Sequence, residues 1–179
     1  RAMGAEITVN DGVLSVKPIV NPPETAELNC GESGSTLRFL LPVAAAVLPR
    51  ADFLGKGRLP ERPIGELYNV LKKNGAEFSS SSLPLSVAGT LKAGNYEIAG
   101  DVSSQYISGL LMALPLLEDD SRIVLTSALC SEPYVMITLN MLKKFGIHIE
   151  REEKGFFVRG KQVFRSPKTV NVDGDWSAA

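Results

Sequence analysis

Gly4, Gly75 and Gly146 stand at a constant interval of 71 residues (4 to 75 to 146). They lie within Arg1-Ala2-Met3-Gly4-Ala5-Glu6-Ile7, Lys72-Lys73-Asn74-Gly75-Ala76-Glu77-Phe78 and Lys143-Lys144-Phe145-Gly146-Ile147-His148-Ile149. Each glycine follows a helix-like end and precedes two short strand-like runs. Glycine there suits the left-handed residue that closes a helix, and the lysine pairs suit the negative end of the macrodipole. Self-similarity this regular means one supersecondary unit used several times.

The unit reads coarsely from its punctuation. Arg62-Pro63 is expected to open a helix, with proline at its first position. Ile64, Leu67, Tyr68 and Leu71 follow at i, i+3, i+4 and i+7, one apolar face, and Gly75 ends it. Strands are predicted near 76–78, 85–87 and 96–98, then a helix from Ser104 and a strand at 123–126. The next copy opens at Glu132-Pro133-Tyr134, runs to Phe145 and continues with strands near 147–150 and 156–158. A last strand is expected near 169–172, before Asp173-Gly174-Asp175-Trp176-Ser177-Ala178-Ala179. The period reads as cut at both ends, which predicts one domain over 1–179 with about three repeats, the first and third incomplete. Ser79-Ser80-Ser81-Ser82 reads as a solvated turn between two strands.

Two apolar runs, 37–48 and 106–117, are too short to span a membrane and read as central helices surrounded by protein. Both begin with hydroxyls. Ser103, Ser104 and Gln105 precede the second run, and Ser33, Gly34, Ser35 and Thr36 precede the first. A shift of 71 carries Ser33 onto Ser104. The first turn of a helix has unpaired N–H groups and the positive end of the dipole. Serines there either cap the helix or share its N–H groups with a bound anion such as phosphate. Two serines and a glutamine opening so apolar a helix favour the anion. Gly34 lets a ligand approach the backbone. Arg38 sits at the wrong end of its helix for the dipole, so it either pairs with a carboxylate such as Glu32 or contacts an anionic ligand.

Three cations, Lys56, Arg58 and Arg62, fall in a Gly/Pro-punctuated loop. Arginine matches phosphate and carboxylate bidentately. Arg58 reads as a clamp once two anion-type helix starts share the chain, while Arg62 alone reads as paired with Glu61 or Glu66. Ser131 serves as an N-cap or a ligand contact. Tyr134 either packs by its ring and bonds by its hydroxyl, or faces a ligand.

Composition excludes several classes. A net charge of −1 and the lack of a basic stripe with interleaved aromatics argue against nucleic acid. Cys30 and Cys130 make no disulfide framework, which favours reduced, cytoplasmic thiols. The single His148 has no Cys or His neighbour, so no metal site is expected. No cofactor is expected either.

Four ordered motifs, Gly34-Ser35-Thr36-Leu37-Arg38, Arg58-Leu59-Pro60-Glu61-Arg62-Pro63-Ile64-Gly65, Asp101-Val102-Ser103-Ser104-Gln105-Tyr106 and Ser131-Glu132-Pro133-Tyr134, resemble the 5-enolpyruvylshikimate-3-phosphate synthase (3-phosphoshikimate 1-carboxyvinyltransferase) family. The resemblance runs from Arg1 to Ala179. It implies an α/β fold of repeated βαβαββ units, with sheets packed around central buried helices. It implies two such domains in a full-length, monomeric member, with helix N-termini facing the cleft between them. This chain resembles the domain that takes shikimate 3-phosphate.

The family transfers the enolpyruvyl group of phosphoenolpyruvate to the 5-hydroxyl of shikimate 3-phosphate, through a tetrahedral intermediate, and releases phosphate. This step belongs to the chorismate route to aromatic amino acids. By resemblance, Ser103, Ser104 and Ser131 hold the 3-phosphate and Tyr134 lies against the shikimate. Gln105 reaches both substrates, and Gly34 and Arg58 contact phosphoenolpyruvate. Ser35, Arg38 and Arg62 support them. Gly34 matches the glycine associated with glyphosate sensitivity. Where the family commonly has Asn-Ala-Gly-Thr or Asn-Ser-Gly-Thr, this chain has Glu32-Ser33-Gly34-Ser35. The family's N-terminal Lys-Ser…Arg segment and its second domain, with the acid–base carboxylates, have no counterpart here. The chain alone is therefore expected not to turn over. Two competing readings are the related enolpyruvyl transferase acting on UDP-N-acetylglucosamine and a non-enzymatic, repeat-built binding module whose serines only cap helices.

Overall fold

The computed structural model describes residues 1–170. The strands and helices fall in the order β1 (Glu6–Asn10), β2 (Val13–Lys17), β3 (Thr25–Asn29), α1 (Gly34–Val47), β4 (Arg50–Leu54), α2 (Gly65–Lys73), β5 (Glu77–Phe78) and β6 (Leu85–Ala88), continuing with β7 (Asn95–Ile98), α3 (Ser104–Ala113), β8 (Ser121–Leu125), α4 (Glu132–Lys144), β9 (Ile149–Glu152) and β10 (Gly155–Val158). From β3 to β6 and again from β7 to β10 the chain traces βαβαββ. The two resulting sheets have one plan, β3-β4-β6-β5 and β7-β8-β10-β9. In each, the first two strands are parallel across a helical crossover and the last two close an antiparallel hairpin. The hairpin β1–β2 stands apart as a two-stranded sheet.

The repeat glycines work as their spacing predicts. Gly4 and Gly75 adopt φ +100° and Gly146 φ +79°, and the Gly75 and Gly146 N–H groups close the last turns of α2 and α4. A Cβ at Gly75 would stand 2.6 Å from the Thr90 carbonyl, so backbone approach as well as φ demands glycine. Lys72, Lys73, Lys143 and Lys144 occupy the last turns, complementing the dipoles. Residues 1–4 form one turn rather than a helix end, with Gly4 N–H donating to the Arg1 carbonyl.

Several details depart from the sequence reading. Helix α2 starts at Gly65, not at Arg62-Pro63; Leu59–Glu61 forms a separate 3₁₀ turn, and Ile64 holds the cap position. Helix α3 ends at Ala113, and Pro115 converts the rest of that apolar run to a 3₁₀ turn over Leu114–Leu116. The serine that matches Ser33 is Ser103, not Ser104: these two are the caps of α1 and α3. Loops absorb the one-residue difference from the glycine interval. Strands β3 and β4 had not been anticipated, although Ala26, Leu28, Ala51 and Phe53 alternate as buried residues within them. The strand expected at 169–172 shows none at 169–170. Its remainder lies outside the described residues.

The core lies between the sheets and around α1 and α3. Leu37, Leu41, Ile107, Leu110, Leu111 and Leu114 are each at most 1% exposed. Pro42 sits inside α1 and has no N–H to return to the Arg38 carbonyl. Gly109 of α3 packs onto that carbonyl, and a Cβ there would stand 2.5 Å from the Arg38 oxygen and 2.9 Å from the Pro42 ring. The two helices therefore touch nearly backbone to backbone. On the other side of α3 a buried polar contact joins α4: the Ser108 and Thr138 hydroxyls lie 2.8 Å apart, and Thr138 also donates to the Tyr134 carbonyl. Thr138→Val leaves the Ser108 hydroxyl without this partner. It is expected to lower stability by about 1–2 kcal/mol in urea titration, with far-UV circular dichroism unchanged.

Candidate functional site

Three helices bring their N-terminal ends to one cavity of about 530 Å³. Ser35 comes from α1, Ser104 and Gln105 from α3, and Tyr134 from the first turn of α4. Phe39, Met112, Ile137 and Met141 form its apolar wall. Neither α1 nor α3 has an acidic residue in its first turn, so two positive dipole ends converge without neutralisation. The single acidic residue in the first turn of α4, Glu132, is turned to Arg151 in a surface ion pair.

The serines divide into two kinds. Ser33 accepts from the Thr36 N–H at 3.2 Å, and Ser103 accepts from the Gln105 N–H at 3.3 Å; both are working caps. Ser104, one residue into α3, makes no side-chain hydrogen bond among the described residues and faces the cavity. Ser131 holds the N-cap position of α4 at φ +57°, a left-handed conformation, yet its hydroxyl makes no capping bond. Tyr134 is 64% exposed, and its hydroxyl has no partner among the described residues. The reading of Tyr134 as a packed ring with a satisfied hydroxyl is thus corrected: the side chain lies open to the cavity.

Arg38 pairs with neither Glu32 nor any other carboxylate among the described residues. Its Nη1 donates to Gln105 Oε1 at 2.8 Å, and its guanidinium carbon lies 5.6 Å from the centre of the Tyr106 ring. Its Nε is buried without a partner among the described residues. Glu32 instead folds over Gly57, where a Cβ would meet the carboxylate carbon at 2.7 Å. Arg62 pairs with neither Glu61 nor Glu66: Glu61 lies beside Arg58, and Glu66 accepts the Ala99 N–H at 3.2 Å. A Cβ placed on Gly34 would stand 3.1 Å from Arg38 Nη1 and 3.4 Å from Arg62 Nη1. Two guanidinium groups thus close on one glycine at a helix start. Among the described residues, no ion pair neutralises either. Like charges brought together without a counter-charge favour an anion between them.

Arg58 behaves differently. Its side chain is 89% exposed, and its one ionic neighbour among the described residues is Glu61 at 4.0 Å, a contact of little energetic weight. The loop that carries it is nevertheless anchored near Gly34, because the Lys56 N–H donates to the Gly31 carbonyl at 2.8 Å. Arg58 stands at the rim of the site and does not line the cavity.

The cavity lining holds no carboxylate, imidazole or ammonium group. Its apolar wall and the Ser108–Thr138 contact went unnoticed in the sequence. The i, i+4 pairs Ser108/Met112 and Ile137/Met141 were the available signal. Cys30 and Cys130 are both free. Cys130 precedes Ser131 and is exposed, while burial raises the pKa of the Cys30 thiol. Iodoacetamide is expected to alkylate Cys130 rapidly in the native protein and Cys30 only on unfolding, as read by mass spectrometry.

The family model for EPSP synthase (3-phosphoshikimate 1-carboxyvinyltransferase) matches residues 1–179. A 3-phosphoshikimate 1-carboxyvinyltransferase of Clostridium perfringens is 38% identical over all of this chain and 43% of its own length. One of Clostridium kluyveri is 40% identical over 99% of this chain and 42% of its own length. The chain thus spans less than half the length of these relatives. The solved structure of EPSP synthase from Acinetobacter baumannii superposes with a TM-score of 0.73 at 21% identity, over 92% of this chain and 38% of that one. An enolpyruvyl transferase from Streptomyces tendae superposes at 0.58 and 14% identity, over 93% of this chain and 39% of that one.

Proposed function

The chain belongs to the EPSP synthase family, and on that premise we propose that it forms the part of the enzyme that receives shikimate 3-phosphate, for enolpyruvyl transfer from phosphoenolpyruvate. The observation that carries this reading is the cavity where α1, α3 and α4 converge. Its free Ser104 hydroxyl and exposed Tyr134 ring, with Ser131 at the N-cap of the same α4 and making no capping bond, suit a phosphorylated, hydroxylated carbocycle. In this proposal Ser103, Ser104 and Ser131 hold the 3-phosphate, using N–H groups at positive helix ends. Tyr134 covers the ring and Gln105 reaches the junction of the two substrates. Arg38 and Arg62, closing on Gly34 without a counter-charge, supply the field for the phosphoenolpyruvate anion, with Arg58 at the rim. The free, unpaired thiols fit a reducing cytoplasmic setting.

Proton transfer needs an acid and a base within hydrogen-bond reach of the reacting atoms. The cavity lining offers no carboxylate, imidazole or amine among the described residues, and its one ionisable side chain is the Tyr134 phenol. We therefore assign this chain a binding role, with the acid–base groups supplied by the remainder of a longer enzyme. The test is calorimetric titration of shikimate 3-phosphate, with shikimate and UDP-N-acetylglucosamine as controls. Saturable binding that requires the 3-phosphate, and weakens about tenfold on Ser104→Ala, supports the reading. Preference for the UDP-sugar would assign the chain to the sister chemistry, and no binding by folded protein would overturn the phosphate-site reading.

A further inference from the structure

From this proposed site we infer that Arg38 and Ser35 are positioning residues, which hold Gln105 so that it presents a single N–H donor to the ligand. The argument begins with what each group can do. A guanidinium only donates, so the Gln105 atom 2.8 Å from Arg38 Nη1 is the amide oxygen. The amide nitrogen then faces Ser35, where Nε2 donates to Oγ at 2.9 Å. The guanidinium fixes which end is oxygen, since the Ser35 hydroxyl could either donate or accept, and both partners belong to α1. Of the two Nε2 hydrogens one is used. The other is left to the cavity that Gln105 lines. A free glutamine can turn either end to a ligand, whereas this one keeps its oxygen on Arg38 and its nitrogen beside Ser35. At the nitrogen end it therefore selects an acceptor oxygen, a hydroxyl or phosphate, over a ligand N–H.

The charge behind the amide strengthens that donor. A cation bonded to the carbonyl oxygen withdraws electron density through the amide and polarises the remaining N–H. The arrangement also explains why α1 tolerates a half-buried arginine with its Nε unpartnered. A local defect kept at a site, with no benefit to the fold, is the expected signature of function. The Tyr106 ring beneath the guanidinium fixes its height, and the Tyr106 hydroxyl donates to the Pro63 carbonyl at 3.0 Å, tying α3 to the segment before α2. Arg38, Gln105 and Tyr106 thus act as one assembly spanning both βαβαββ units.

The test uses a double-mutant cycle on this chain, with shikimate 3-phosphate as the probe and thermal melting as the check on folding. Arg38→Gln and Gln105→Ala are each expected to weaken binding about tenfold. The double variant is expected to bind no worse than Gln105→Ala, because toward shikimate 3-phosphate Arg38 acts through Gln105, its own field being directed at phosphoenolpyruvate. Losses that multiply would make Arg38 a direct ligand contact and overturn the inference. Ser35→Ala, which removes one hydroxyl on a half-buried surface, gives a second cycle if Arg38→Gln does not fold. A readout independent of the ligand is the Gln105 side-chain amide in ¹⁵N NMR. In the free protein the proton bonded to Ser35 is expected to exchange with water more slowly than its geminal partner, a difference lost in Ser35→Ala and reduced in Arg38→Gln. Two protons that exchange equally fast in the wild type would sink the positioning role. Absence of shikimate 3-phosphate binding with a protected amide would instead sink the assignment of the ligand.

Discussion

Gly109→Ala is expected to destabilise the protein by about 3 kcal/mol, the range in which overpacking a close helix contact falls. The cause is local and geometric. Pro42 leaves the Arg38 carbonyl without its intrahelical N–H, and α3 exploits the vacancy by laying Gly109 against it. A methyl group there would stand 2.5 Å from the oxygen and 2.9 Å from the proline ring. Neither neighbour is the end of a flexible side chain, so relief requires the helices to separate. Separation would strip contacts from Leu37, Leu41, Ile107 and Leu110, which are now fully buried. It would also move Arg38 away from Gln105. Urea denaturation measures the loss, and for a domain of this size the melting temperature is expected to fall by roughly 6–12 °C. Gly65→Ala is the control: nothing lies within 4 Å of a Cβ there, and the residue is itself exposed at the first position of α2. That variant should sit within about 0.5 kcal/mol of the wild type. Equal effects from the two substitutions would show that helix propensity, not close approach, governs Gly109.

Gly109 also marks where sequence reasoning stops. The helix itself was legible, because an apolar run behind Ser103 and Ser104 has one natural reading. The repeat glycines were legible too, since a positive φ at the end of a helix leaves few other choices. Strands β3 and β4 are equally available in the alternation of Ala26 with Leu28 and of Ala51 with Phe53. What no local pattern reveals is pairing across distance. Arg38 meets Gln105 from 67 residues away, and no rule of spacing selects Gln105 over Glu32. The start of α2 was misread for a different reason. Proline suits a first helical turn, but here Pro63 precedes the helix, with Ile64 as the cap residue. Of the candidate ligands, Ser104, Gln105, Tyr134 and Ser35 share a cavity, whereas Arg58 stays in solvent. Sequence types residues by chemistry, and only the fold decides which of them face one another.

Gln105→Glu is expected to separate stability from binding in opposite directions. The substituted carboxylate would lie 2.8 Å from Arg38 Nη1, converting a hydrogen bond to a neutral acceptor into a part-buried, charge-assisted pair. Ser35 is not orphaned, because its hydroxyl turns from acceptor to donor. The fold therefore loses no partner and gains an ion pair, and the melting temperature is expected to hold or rise. The ligand meets the reverse. The only N–H that Gln105 offered is gone, the Arg38 charge is neutralised, and a negative charge stands where a phosphorylated substrate must come. Removing one donor costs about tenfold, and a like charge beside an anion costs at least as much again, so affinity for shikimate 3-phosphate should fall by about 100-fold or more. Calorimetry and thermal melting on the same sample decide the matter. A variant that loses both stability and binding would mean the glutamine is a structural strut. One that keeps its affinity would mean the bound phosphate lies away from Gln105. Stability retained with binding lost is the outcome required if α1 exists to aim this one amide, as a residue aimed for function is one the fold itself does not need.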